Sequence, residues 1–170
     1  MRALILAAGR GSRMRALTQD RPKCLVPIAG RPLLYWQLAA LRAAGLRQIA
    51  IVRGYLAEYL TPPGCTLLDN PRWAQTNMVA TLTCADDWLQ ADSCIVSYAD
   101  IVYHPDHVRA LAQAPGDLAI TYDRLWQELW ADRFHDPLRD AETFRRAGDG
   151  AVRTGDATGW RPADRGAGDA

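Results

Sequence analysis

The 170 residues predict an α/β fold, a mixed, mostly parallel sheet with helices on both faces. Three observations carry this reading. Short continuous apolar runs of strand length recur along the chain, as buried parallel strands do. Segments with helical spacing alternate with them, which is the pattern of βαβ units. An apolar fraction of 49% and a charged fraction of 23% supply enough material for one ordinary core.

Arg2–Ala7 reads as the first buried strand, and 8–21 as a loop of glycine, serine and arginine. A turn at Ala29-Gly30 follows, and Arg31-Pro32 opens a helix with proline in its first turn. Leu33, Leu34, Trp36, Leu38 and Leu41 are its apolar residues, and Gly45 closes it. Residues 46–52 form a second strand and 66–68 a weaker third. A helix is expected over 77–89, with Met78, Leu82, Ala85 and Leu89 on one stripe. Residues 94–99 make a fourth strand ending at Asp100, 106–112 a helix, 118–122 a fifth strand, and 125–133 a helix bearing Trp126 and Trp130. From 147 to 170 there are six glycines and four aspartates but no leucine, isoleucine or phenylalanine. Such a stretch buries too little to offset its ordering entropy, so the domain is expected to end near Arg146 and the tail to be disordered.

The totals also exclude several function classes. A net charge of +1 gives no nucleic-acid footprint. No apolar run approaches the ~20 residues that span a bilayer, and the apolar start is too short for a signal peptide, so the chain reads as cytoplasmic. Cys24, Cys65, Cys84 and Cys94 lack metal-site spacing and read as free thiols. Of 20 basic residues 19 are arginine, and the single lysine is Lys23. A lysine kept in such a chain marks a place where a compact point charge suits better than a planar fork.

Gly9-Arg10-Gly11-Ser12-Arg13 follows the first strand at the carboxyl end, where open α/β sheets bind ligands. Glycines there let backbone N–H groups approach phosphate oxygens. The dinucleotide fingerprint fails because Met14 stands at its third glycine, and no Gly-Lys-Ser/Thr completes a Walker loop.

The longer stretch Leu6-Ala7-Ala8-Gly9-Arg10-Gly11-Ser12-Arg13, with Leu17-Thr18, Arg21-Pro22-Lys23, Pro27 and Gly30-Arg31-Pro32, resembles the signature of nucleotidyltransferases that make nucleoside-diphosphate sugars. One departure is Ala16, where that family usually has proline. Asn70, Thr76-Asn77, Ser97-Tyr98-Ala99-Asp100 and Tyr122-Asp123 with Trp126, Trp130 and Arg133 resemble the small cytidylyltransferase branch, which activates phosphocholine or 2-aminoethylphosphonate with CTP. The resemblance implies a Rossmann-like three-layer fold over 1–146 and the release of pyrophosphate. It implies that Lys23 sits against the α-phosphate, that Arg13 holds the β,γ-phosphates, and that Asp100 holds Mg²⁺. Leu6, Ala7, Ala8, Gly9, Gly11, Ser12 and Arg13 would line the nucleotide, with Asn77 and Gln75 near its base or ribose. No general base is needed, because the attacking phosphate or phosphonate is already an anion.

Asn77 reads equally as the N-cap of its helix. Tyr122, Trp126 and Trp130 read either as core packing or as an aromatic wall for an ammonium group, with Asp123 and Glu128 as counter-charge. His104, His107 and His135 read as surface or turn residues. Sugar-1-phosphate transfer is the alternative reaction. The part of such proteins that supplies a second metal-binding aspartate is not recognisable downstream of 146, so a catalytically weak nucleotide-binding domain is the reading from another class. No oligomeric state follows from the sequence.

Overall fold

The structure, a computed structural model, describes residues 1–136 together with the backbone of 145–146 and 152–153. The expected tail, 147–170, otherwise lies outside the described residues. The chain divides into two units, Met1–Thr121 and one that begins at Tyr122.

The first unit is built on four parallel strands. These are β1 (Arg2–Ala7), β4 (Ile49–Arg53), β5 (Thr66–Asp69) and β6 (Cys94–Tyr98), in the order β5-β4-β1-β6. β1 lies at the centre and alternates between two cores. Ala3 and Ile5 point to one face with Ile49, Ile51 and Ile95, beneath Leu34, Leu38 and Leu41 of α1 (Leu33–Ala43) and Val108 of α4 (Pro105–Ala112). Leu4 points to the other with Ala50 and Val52, covered by Leu82 of α2 (Met78–Thr83), by Ala85 at the junction, and by Trp88 and Leu89 of α3 (Asp86–Gln90). Helix, sheet and helix make three layers. Among the described residues no helix is long and apolar enough to cross a membrane.

α1 ends as its glycine signalled. Gly45 N–H donates to the Arg42 carbonyl and Leu46 N–H to the Leu41 carbonyl, both at 3.0 Å, which satisfies two carbonyls the helix leaves open. Its start differs from expectation. Pro32 stands just outside the helix, because Pro27–Ile28 (β2) and Arg31–Pro32 (β3) pair as an antiparallel hairpin. The hairpin turns through Ala29 and Gly30, both at positive φ.

Two other elements correct the sequence reading. The helix over 77–89 is broken into α2 and α3, and Met78 is exposed rather than on the buried stripe. Thr81 and Thr83 hydroxyls and the Cys84 thiol donate back to carbonyls of Asn77 and Ala80, which loosens the helix where it breaks. The expected strand at 118–122 does not form; these residues have no regular structure and Leu118 is 88% exposed. Propensity alone makes no strand without a partner edge.

In the second unit α5 (Trp126–Arg133) forms as expected, and Arg145–Arg146 (β7) pairs antiparallel with Val152–Arg153 (β8).

Candidate functional site

β1 lies between β4 and β6, so the sheet reverses its direction of growth between β1 and β6. Ligands of open α/β sheets bind beyond the strand ends at such a reversal. A cleft of about 270 Å³ opens there. Leu6, Ala7, Ala8 and Gly9 line it from the end of β1, and Tyr98, Ala99 and Asp100 from the end of β6. Trp73, Thr76, Asn77 and Thr81 complete it from the segment between β5 and α2 and from α2 itself.

Lys23 enters this cleft from the short 3₁₀ turn Lys23–Leu25. Its neighbours Pro22 and Cys24 are buried, so the backbone on both sides of the lysine is anchored in the core. Burial pushes the Cys24 thiol up to about 12, which leaves it a protonated, unreactive member of the lining at neutral pH. The lysine stem packs on Gly11. A Cβ at that position would lie 2.8 Å from Lys23 Cδ, and the backbone there has φ +68°, which glycine alone adopts without strain. Lys23 Nζ then donates to Asp100 Oδ2 at 2.5 Å. The two groups are 77 positions apart in sequence, and each side chain is between a third and a half exposed.

Asn70 orders the Trp73 side of the cleft. It is buried, its Nδ2 donates to the hydroxyls of Thr76 (3.0 Å) and Thr81 (3.1 Å), and its Oδ1 accepts from Arg72 N–H at 3.0 Å. Asn77 Oδ1 accepts from Ala80 N–H at 3.1 Å, so it is the N-cap of α2 while also lining the cleft. Trp73 stands edge-on to Tyr55, with ring centroids 5.3 Å apart. Gly54 leaves room for it, since a Cβ there would lie 2.6 Å from both Trp73 Cβ and the Ala8 carbonyl oxygen. Tyr55 ties the glycine loop to this wall. Its N–H donates to the Ala8 carbonyl (2.9 Å) and its hydroxyl contacts the carbonyls of Thr18 and Gln19 (2.9 and 3.0 Å). The Arg10 guanidinium lies over its ring at 5.4 Å.

The structure therefore brings together Leu6, Ala7, Ala8, Gly9, Gly11, Lys23, Asn77 and Asp100, all anticipated from sequence. It does not bring Ser12, Arg13 or Gln75 into the lining. After the left-handed turn at Gly11 the chain winds into the 3₁₀ segment Ser12–Thr18, where Ser12 and Arg13 are exposed. Gln75 is exposed in the turns before α2. Asp100 caps no helix; α4 is capped by His104, whose Nδ1 accepts from Asp106 N–H at 3.3 Å. Trp73 was missed. Its signal is a large aromatic in a turn after a strand, with no periodic partner to pack it in a core.

Tyr122, Asp123, Trp126 and Trp130 belong to the second unit. Asp123 Oδ1 accepts from Leu125 N–H at 2.8 Å and starts the turn into α5. The Arg133 guanidinium lies over Trp130 at 5.0 Å, so a cation of this chain already faces that ring. Trp130 also packs on Phe134, at 6.3 Å between centroids.

Known proteins are similar to this chain in sequence and in fold. The chain is 42% identical over 155 residues to the CTP:phosphoglutamine cytidylyltransferase of Campylobacter jejuni, a match covering 85% of this chain and 61% of that one. It is 34% identical over 111 residues to the 2-aminoethylphosphonate cytidylyltransferase of Lancefieldella rimae, covering 62% and 45%. The solved CTP:phosphocholine cytidylyltransferase of Streptococcus pneumoniae superposes with a TM-score of 0.55 and 33% identity, over 62% of this chain and 49% of that one. The chain thus spans about half the length of these relatives. Its fold is the Rossmann-like fold of nucleotidyltransferases. With residues 3–152 matching the model of the MobA-like NTP transferase domain, this chain belongs to that family.

Proposed function

We propose that the chain binds CTP in the β1/β6 cleft and serves the transfer of a cytidylyl group to a small phosphorylated or phosphonylated amine. The observation that supports this best is the meeting of Lys23 and Asp100, one compact cation and one carboxylate, at the carboxyl ends of adjacent parallel strands. The similar cytidylyltransferases named above support CTP over other nucleotides.

In the proposed reaction an acceptor oxygen attacks the α-phosphorus, and the bond from that phosphorus to the β-phosphate bridging oxygen breaks. Pyrophosphate leaves with the electron pair. The attacking group is already an anion, so the protein supplies charge neutralisation and alignment rather than a base. Lys23 neutralises the α-phosphate and the incoming anion. Arg13, exposed beside the glycine loop, is proposed for the departing phosphates. Asn77 keeps its Nδ2 for the nucleotide while its Oδ1 caps α2.

Among the described residues Asp100 is the one carboxylate lining the cleft, and these residues form no cluster of three or more metal-binding groups. That donor set fits Mg²⁺, which takes one or two carboxylates and completes its shell with water and substrate phosphates. Bound there, Mg²⁺ would neutralise charge on the triphosphate. The acceptor roles of Tyr122, Asp123, Trp126 and Trp130 rest on the resemblance of their motif. Calorimetry of CTP with and without Mg²⁺ tests the nucleotide site. Asp100→Asn should abolish most of the Mg²⁺-dependent gain in affinity, and an unchanged gain would refute the assignment.

A further inference from the structure

α1 carries one residue that core packing does not explain. Gln37 is wholly buried, one position from the equally buried Leu38. Its Nε2 donates to two backbone carbonyls, those of Tyr98 and Ile101, each at 2.7 Å. The two acceptors fix which end of the amide is nitrogen, since an oxygen so placed would face two others. Its Oε1 is buried and has no hydrogen-bond partner among the described residues. A leucine would fill much the same volume without orphaning an acceptor, so the site keeps a polar group at a cost. What the cost secures is the bend after β6. The two carbonyls bracket Ala99-Asp100, where the strand ladder has ended. Ser97 Oγ also donates to the Tyr98 carbonyl, at 2.9 Å. For Ile101, Gln37 is the donor that replaces a ladder partner.

We propose that Gln37 is a positioning residue: from beneath the sheet it clamps the bend that presents the Asp100 carboxylate to the cleft opposite Lys23. This deepens the proposed function and rests on Asp100 holding the metal-complexed triphosphate. The amide never touches the nucleotide. It acts by limiting where the carboxylate can stand, and groups that orient a metal ligand typically cost about 10- to 100-fold in metal affinity when removed.

The test uses the full chain and CTP calorimetry in EDTA and at saturating Mg²⁺, which gives a Mg²⁺-dependent gain for each variant. Gln37→Met keeps the length and bulk and removes the donor. We expect it to lose about tenfold of that gain while its CTP affinity in EDTA stays within about twofold. In an Asp100→Asn background the same change should cost nothing further. An equal loss with and without Mg²⁺ would mark a merely structural role and overturn the proposal. So would an intact gain in Gln37→Met beside a lost gain in Asp100→Asn, which leaves the nucleotide site standing. If Asp100→Asn itself keeps the gain, the proposed function fails, and the clamp with it. Should Gln37→Met melt below the assay temperature, Gln37→Glu, which is isosteric with at most one donor, is read in the same way.

Discussion

Lys23 shows how one side chain can be specified from several directions. Buried Pro22 and Cys24 fix its backbone, Gly11 leaves room for its stem, and Asp100 receives its ammonium. A guanidinium would not fit the same place. Its planar fork is longer, and it offers no single point of charge between two phosphates. We expect Lys23→Met to lower pyrophosphate release from CTP and an acceptor by about a hundredfold or more. Lys23→Arg should be nearly as poor, with the thermal midpoint of either variant close to that of the parent. Wild-type turnover by the arginine variant would mean that the lone lysine is an accident of composition. This residue was legible in sequence because it broke a compositional rule. Its partner, Asp100, was legible because it ends an apolar strand. Trp73 and Gln37 were not. Trp73 is placed by Gly54 and Tyr55, and Gln37 by carbonyls more than sixty residues away. Only the folded chain creates those relations.

At the scale of elements, the parts set by local chemistry were readable and those set by pairing were not. β1 and α1 carried their own signals, a continuous apolar run and a leucine stripe closed by glycine. The residues at 118–122 looked like a strand, but a strand needs an edge to join. The long helix at 77–89 failed because threonine and cysteine side chains compete for its carbonyls. Asn77 caps the first turn of α2 and also lines the cleft, and the consequences of the two can be separated. Asn77→Ala should cost about 1 kcal/mol of stability through the lost cap. Asn77→Ser restores a capping oxygen but no amide. If Asn77 contacts the nucleotide, the serine variant should regain stability in urea denaturation without regaining CTP affinity. Recovery of both together would reduce Asn77 to a cap.

Seen whole, the molecule keeps its candidate nucleotide site within Met1–Thr121, and the second unit starts at Tyr122. The sequence expectation of a domain that ends near Arg146 rests on a change of composition, and most of the residues around and beyond that point lie outside the described ones. Residues 114–121 have no helix or strand, and Leu118 and Tyr122 are exposed. Brief chymotrypsin treatment should therefore cut at Leu118 or Tyr122 before any other bond within 1–136. Mass spectrometry would identify the fragments, and first cuts inside β1 to α4 would contradict the division. The ion pair across the cleft has a further bearing on what this unit admits. With Lys23 and Asp100 closed on each other, the cleft presents no net charge from the two groups that define it. A bare phosphate would have to leave the carboxylate unmatched, and a bare cation the ammonium. A ligand carrying both signs at once offends neither. Because the pair is partly exposed it is worth at most about 1 kcal/mol, so such a ligand displaces it at little expense. A pair of that strength favours such a ligand over a lone ion by no more than about fivefold.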